Sequence, residues 1–578
     1  MSSSNGDPRR EKIQETADSD IATSIRALLG VDQADPAGLG LALGRFAVSV
    51  AGNPIAFSQA MVEYGMRSAQ ATMTAALRGM GLDHEGPAET GEDPRFADPA
   101  WTSNALFYLV RQQYALFESF LQNLLAEADL DELTRHKADF ALRQALDASA
   151  PTNFLLTNPA ALKQAFDTGG LSVLRGTSNL LRDVVTNKGM PRQVTPGRFR
   201  PGHELAATPG SVVFRNRLIE LIQYEPQTET VHAVPLLFSP PWINKYYIMD
   251  LAPGKSLVEW AVQHGHTCFM ISYRNPDETL ADVTMSDYLR EGPLVALEMV
   301  EEITGTQQTN LAGLCLGGTL ATALLAWLTA RGEDRVRSLT VMNTLLDYTL
   351  PGQLGVFTDE ATIRRLDRTM ARTGYLPANS MATTFNLLRG RDLVWNYVVN
   401  DWLLGKDPAP FDILSWNADS TRMPAAMQAE YLRFLYQENR LARGELELAG
   451  ERLDLAKISK DSYFISAEKD HIALWKGVYQ GARLMGGTVR FMLSNSGHIA
   501  GVVNPPNPKS KHWVGAAAEL PEDPEVWRAQ AAHVAKSWWQ DWAPWIARRA
   551  GRKRPPPAMG STMHPPLGSA PGSYVLET

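Results

Sequence analysis

The stretch Thr309-Asn-Leu-Ala-Gly313-Leu-Cys315-Leu-Gly317-Gly-Thr-Leu320 is the point from which the rest of the chain can be read. A β-rich run over 309–314 passes through Gly313-Leu-Cys315-Leu-Gly317 into a helix-like segment that continues to about residue 330. This is the strand-turn-helix context of the nucleophile elbow G-x-S-x-G, with cysteine in place of serine. The chemistry explains the glycines. A nucleophile held on a strained, sharp turn leaves no room for side chains at Gly313 and Gly317, which would strike neighbouring backbone. The helix that follows turns the positive end of its dipole towards Cys315 and favours the thiolate. An isolated cysteine is more often a small buried hydrophobe, and the flanking strand and helix argue against that reading here.

Outward from the elbow, β-rich runs at 218–224, 234–238, 267–273, 336–342, 462–466 and 489–493 alternate with helix-like segments. That alternation predicts an α/β fold with a parallel sheet. The run at 336–342 and the run at 462–466 are too far apart for a structureless loop, so residues 346–455 are expected to be an inserted helical subdomain. The insertion is rich in aromatics, among them Trp395, Trp402, Trp416, Tyr431 and Tyr436. Its place between strands, on the side where catalytic loops gather, predicts an apolar cap or lid.

An elbow nucleophile needs a base and an orienting acid, which in this architecture follow in the order nucleophile, acid, histidine. Tyr463-Phe-Ile-Ser-Ala-Glu468-Lys-Asp470-His471-Ile offers Asp470 just beyond a strand, with Glu468 as a competing carboxylate. Phe491-Met-Leu-Ser-Asn-Ser-Gly-His498 presents His498 after the next strand. Both lie at strand carboxyl ends, where open α/β sheets build their sites. His471 is expected to line the site. Of the remaining histidines, His512 follows a Pro-rich turn, His533 reads as mid-helix and His564 lies in the tail, and none shows metal-ligand spacing. The expected oxyanion donors are the Leu316 amide and a second amide, from Trp242 or Ile243, in the loop after the run at 234–238.

The 578 residues carry 55 Lys+Arg and 63 Asp+Glu, a formal net charge of −8, with 44% hydrophobic residues. This excludes a mainly disordered chain and a strongly basic nucleic-acid binder. Two cysteines, Cys268 and Cys315, are too few for a disulfide framework. The start lacks a secretory pattern, and no apolar run reaches the ~20 residues of a membrane span. A cytoplasmic protein without a transmembrane segment is expected. Residues 1–20 read as a disordered arm and 21–200 as a helical region, with periodic segments near 21–29, 57–77 and 106–146. Residues 201–345 and 456–550 form the two parts of the α/β core, and 551–578 a Pro/Gly-rich extended tail. Ahead of that tail, Trp538, Trp539, Trp542 and Trp545 predict a packed helix followed by a solvated basic end.

Several motifs together resemble one family. Gly-Leu-Cys315-Leu-Gly-Gly-Thr, Pro-Pro-Trp242-Ile-Asn-Lys-Tyr-Tyr, Ser-Tyr-Arg274-Asn-Pro, Asp-Leu-Val-Trp395-Asn-Tyr, Asp470-His-Ile and Gly-His498-Ile-Ala-Gly-Val-Val-Asn-Pro-Pro are similar to the polyhydroxyalkanoate synthases. The likeness runs from about Asp93 to Thr578 and looks most like the single-subunit classes I and II. It implies an α/β-hydrolase fold with a cap and an N-terminal region, and a Cys-His-Asp triad at Cys315, His498 and Asp470. It also implies polymerisation of (R)-3-hydroxyacyl groups from coenzyme A thioesters, with no separate cofactor, by a homodimer on cytoplasmic polyester granules. A cysteine-dependent hydrolase or thioesterase is the alternative with the same residues.

Overall fold

The computed structural model describes residues 36–82, 84–88, 91, 93–515 and 520–578. The predicted arm at 1–20 and the periodic segment at 21–29 lie outside the described residues. The chain forms two compact units, one comprising Met1–Thr195 with Thr383–Pro410, the other Pro196–Ala382 with Phe411–Thr578.

The first unit is helical: α1 (Pro36–Gly52), α2 (Pro54–Gly79), α3 (Ala105–Glu127), α4 (Glu132–Ser149) and α5 (Leu171–Thr186). The periodic stretch at 106–146 is two helices rather than one, because Asp131 caps α4 by accepting from the Thr134 amide and so starts a new helix. Segment 383–410 of the predicted insertion belongs to this unit. Arg391 pairs with Asp147 at 3.0 Å, Trp402 Nε1 donates to Asp183 at 3.0 Å, and Asn179 donates to the Asp401 carbonyl at 3.1 Å. Gly176 lets α5 close on the Trp402 backbone, whose carbonyl oxygen would sit 1.9 Å from an added Cβ. No single described helix is long and apolar enough to cross a membrane; α1 and α2 reach that composition only as a pair bent by 94°.

The second unit is built on an eleven-stranded sheet. Its strands in chain order are β1 (Gly210–Arg215), β2 (Ile219–Tyr224), β3 (Leu236–Ser239), β4 (Cys268–Tyr273), β5 (Thr309–Leu314), β6 (Val336–Met342), β7 (Ser462–Ala467), β8 (Val489–Ser494), β9 (His512–Val514), β10 (Ala532–Val534) and β11 (Gly568–Ser569). They lie in the order β10-β9-β8-β7-β6-β5-β3-β4-β2-β1-β11. The pairs from β4 through β3, β5, β6 and β7 to β8 are parallel, and the flanking pairs are antiparallel. Strands β3, β4, β5 and β7 are buried along their whole length, as expected of a parallel sheet covered on both faces. The elbow strand β5 sits at the centre, and α6 (Leu316–Ala330) behind it is buried at every position through Leu328. This is the α/β-hydrolase architecture anticipated from the elbow.

Two expectations are corrected. His533 is in the edge strand β10, paired with Trp513, and not inside a helix. Three residues of an antiparallel edge strand are too few to show an alternating pattern, and their pairing with β9 overrides the helix-like local composition. The tail at 551–578 does not simply trail away: Gly568–Ser569 adds β11 to the sheet against β1. The basic end is likewise engaged, with Arg549 paired to Asp461 at 2.6 Å and Arg554 donating to the Thr304 carbonyl. Before it, α7 (Trp475–Arg483) packs beside β7 and β8, and α8 (Trp538–Ala547) buries Trp538, Trp539, Trp542 and Trp545 in the core.

Candidate active site

At the carboxyl end of β5, Cys315 has φ 51° and ψ −126°, a backbone region costing about 1–3 kcal/mol for a residue with a side chain. Backbone and side-chain bonds over-determine it. The Cys315 amide donates to the Met342 carbonyl at 2.8 Å, and the Cys315 carbonyl accepts from the Gly318 amide at 2.9 Å and from Thr344 Oγ1 at 3.0 Å. The elbow glycines are steric necessities. A Cβ on Gly313 would lie 2.4 Å from Gly318 Cα, and one on Gly317 would lie 2.1 Å from the Ser239 carbonyl oxygen. Gly317→Ala should therefore force the end of β3 away from the elbow and destabilise the protein by about 1–3 kcal/mol or more, read as a lowered thermal midpoint. An unchanged melt would refute this packing.

The contrast between the two cysteines is one of position. Cys268 is fully buried in β4, where burial pushes its thiol up and leaves it mostly protonated. Cys315 is half-buried at the mouth of α6, against the core.

Asp470 and His498 are brought together by two loops that knit to each other. Beyond β7 and β8, the Glu468 amide donates to the Ser494 carbonyl at 2.9 Å and the Lys469 amide to the Ser496 carbonyl at 2.8 Å. His498 Nδ1 then lies 2.6 Å from Asp470 Oδ2, both side chains buried. The other carboxylate oxygen, Oδ1, accepts from the Ile472 and Ala473 amides at 2.8 and 2.9 Å, which locks its orientation. With Nδ1 engaged, Nε2 is the nitrogen left for Cys315, whose sulfur is close enough to act on the charge of the ring. Burial opposes charge on His498, but the Asp470 carboxylate and the Cys315 sulfur together raise its pKa to about 10. The pair thus favours an imidazolium beside the sulfur.

Glu468, the competing acid, is taken by Arg528 and does not meet His498. His512 turns Nδ1 to the Lys536 carbonyl at 2.7 Å, within the edge sheet. His471 stands half-buried next to Asp470, and its carbonyl accepts from the Gln353 amide at 3.2 Å. Among the described residues, no group of three or more His, Cys, Asp or Glu is arranged to hold a metal ion.

Leu316 opens α6, so its amide is one of the first-turn donors that lack an intrahelical partner. Trp242 and Ile243 form the turn after β3, the strand paired directly with β5 through Ser239 and Gly313. Both are buried, and the Trp242 ring packs against Tyr288 and Tyr431.

Several residues not anticipated from sequence complete the site. Asn343, at φ 46° after β6, donates its side-chain amide to the His498 carbonyl and so holds that loop. Buried Tyr348 and Tyr431 and half-buried Tyr436 form an edge-to-face cluster with centroids 4.7 and 5.5 Å apart. Burial raises all three phenols. Asn343 was detectable by the same strand-end rule that located Asp470 and His498. The tyrosines had no local signal beyond the aromatic richness of the insertion.

Comparison with known proteins places the chain in a family. A family model described as the poly-beta-hydroxybutyrate polymerase (PhaC) N-terminus matches residues 92–261, and an alpha/beta hydrolase fold model matches 256–505. The poly(3-hydroxyalkanoate) polymerase subunit PhaC of Rhizobium meliloti is 44% identical over 84% of this chain and 79% of its own length. The subunit of the same name from Cupriavidus necator is 42% identical over 85% of each chain. Among solved structures, a monoacylglycerol lipase from Paleococcus ferrophilus superposes with a TM-score of 0.33 at 12% identity, covering 57% of this chain and 99% of its own. With such identity sustained over most of its length, on top of an elbow cysteine beside a histidine–aspartate pair, the chain belongs to the poly(3-hydroxyalkanoate) polymerase family, enzymes of the acyltransferase type.

Proposed function

We propose that this protein polymerises (R)-3-hydroxyacyl groups from coenzyme A thioesters into polyester through a covalent acyl-cysteine on Cys315. The observation that carries the reading is the 2.6 Å bond between His498 and Asp470 beside a cysteine at the elbow. His498 takes the Cys315 proton, and the sulfur attacks the thioester carbonyl. The tetrahedral oxyanion is received by the Leu316 amide and a second amide from Trp242 or Ile243. As the intermediate collapses, coenzyme A leaves with the proton held on His498. The hydroxyl of a second acyl group or of the growing chain then attacks the acyl-cysteine, giving its proton to His498 and re-forming the thiol. Asp470 orients the ring and stabilises its charge. Exchange of one thioester for another is close to isoenergetic, so sulfur retains the activation that an enzyme oxygen ester would dissipate.

Polymerisation rather than hydrolysis requires that water be kept from the acyl-cysteine. The tyrosine cluster around Cys315 supplies an apolar cover for that purpose. The protein needs no cofactor beyond its substrate in this scheme, and it works as a homodimer at the surface of cytoplasmic polyester granules. The test is purified protein given 3-hydroxyacyl thioesters of graded acyl length, with coenzyme A and insoluble polyester both quantified. Polyester in proportion to coenzyme A is the expected result. Free hydroxy acid in its place would make the protein a thioesterase.

A further inference from the structure

The acyl-transfer scheme leaves three polar residues near the site unused: Lys245 in the run after β3, and Arg274 and Asn275 after β4. Lys245 and Arg274, along with Arg422, converge on one short segment, residues 575–578, and Asn275 holds Arg422. Lys245, only 3% exposed, donates Nζ to the Val575 carbonyl at 2.9 Å and to the Glu577 carbonyl at 2.5 Å. Arg274 Nε lies 3.5 Å from the Glu577 carboxylate. Arg422 donates to the Thr578 carbonyl at 2.8 Å and to the Pro276 carbonyl at 3.3 Å, while its amide donates to Asn275 Oδ1 at 2.9 Å. The Val575 side chain is buried in the same core cluster as Tyr246, Tyr247 and Trp416.

The same short run is tied on its other side to the segment that follows Phe411. The Lys245 carbonyl accepts from Trp416 Nε1 at 2.8 Å, Asn244 bridges to Ser420, and Tyr247 donates its hydroxyl to Asp419 at 2.8 Å. These contacts on residues 244–247 therefore act immediately after the 242–243 turn. A buried ammonium with two carbonyl acceptors is a charge-assisted anchor, and removing either side leaves the other unsatisfied in the interior.

We propose that residues 575–578 form a clasp that fixes the 242–243 turn as the second oxyanion donor, with Lys245 as the positioning residue. The proposal rests on the acyl-cysteine reading given above and adds to it a device remote from Cys315 in sequence. An oxyanion amide acts only on the charge that develops in the transition state, so loosening the clasp lowers turnover while substrate binding stays nearly unchanged.

The experiment compares the full chain with a variant lacking residues 575–578 and with Lys245→Met and Lys245→Arg. Coenzyme A release gives kcat and KM, and alkylation of Cys315 by iodoacetamide reports the thiol–imidazole pair, which the clasp does not touch. Deletion and Lys245→Met are expected to lower kcat about 10²-fold, with KM within about threefold and alkylation unchanged. Lys245→Arg, which keeps a cation, should recover part of the loss. Wild-type kcat in the deletion variant would overturn the clasp, as would a loss accompanied by slowed alkylation or by a parallel rise in KM. A Cys315→Ala control separates the two ideas: if it remained active, the acyl-cysteine reading itself would fall, whatever the clasp variants did.

Discussion

Coenzyme A release is expected to vanish in Cys315→Ala, with a loss of about 10⁵-fold or more, and to fall nearly as far in Cys315→Ser. Alanine fits the elbow, whose backbone is held by the bonds to Met342, Gly318 and Thr344, so the fold should survive. What disappears is the atom that forms the covalent bond. Serine keeps a nucleophile of similar size, but its hydroxyl ionises far less readily than a thiol, and its oxygen ester would be a poorer acyl donor to the next hydroxyl. Following free thiol release from a 3-hydroxybutyryl thioester measures both variants. Near-normal turnover by the alanine variant would remove Cys315 from the mechanism.

The second large effect concerns the base. His498→Ala should slow acylation by roughly 10⁴-fold or more, because it removes the imidazole that Asp470 orients as the base for Cys315. Asp470→Asn keeps the shape of the carboxylate but offers an amide in its place, so the ring loses both the orienting acceptor and the charge that favours imidazolium. Its rate should fall by orders of magnitude as well, and alkylation of Cys315 at neutral pH should slow with it.

The same pair carries a stability signature whose sign follows from the raised pKa. His498 goes from an ordinary value of 6.5 to about 10, so the folded state holds a proton that the unfolded chain releases at lower pH. The resulting stabilisation is fully present below about 6.5 and is lost as pH rises through about 10. The stability gap between the wild type and Asp470→Asn, from urea melts, should therefore shrink from pH 7 towards pH 10. A gap that widened over that range would contradict the assigned charge state.

Much of the site was legible in the sequence because its parts obey short-range rules. Gly313 and Gly317 flank the nucleophile since neighbouring backbone excludes a Cβ, and that exclusion is written in two letters. Asp470 and His498 each lie a few residues past a buried strand, and a strand of consecutive apolar residues announces itself locally. The sequence favoured Asp470 over Glu468, but what holds Asp470 in place was not legible. It depends on backbone bonds between the loops after β7 and β8, and on Arg528, which draws Glu468 away.

Other features were hidden for similar reasons. The edge strands β9, β10 and β11 are two or three residues long and exist only through pairing. Segment 383–410 reads as part of one insertion, yet it packs with the helical unit through Asp147, Asp183 and Gly176, residues far away along the chain.

By itself, the sequence determined the fold class, the positions of the central strands along the chain, the candidate nucleophile and the loops that carry its candidate partners. These depend on hydrophobic periodicity, on turn sterics and on residue types, all of which act over a few positions. Only the tertiary structure decided how the Asp470 carboxylate is held against the imidazole, how the insertion divides, which tyrosines cluster together, and that residues 575–578 meet Lys245. Those outcomes depend on which distant surfaces bury one another, and burial between remote segments leaves no periodic trace in either of them.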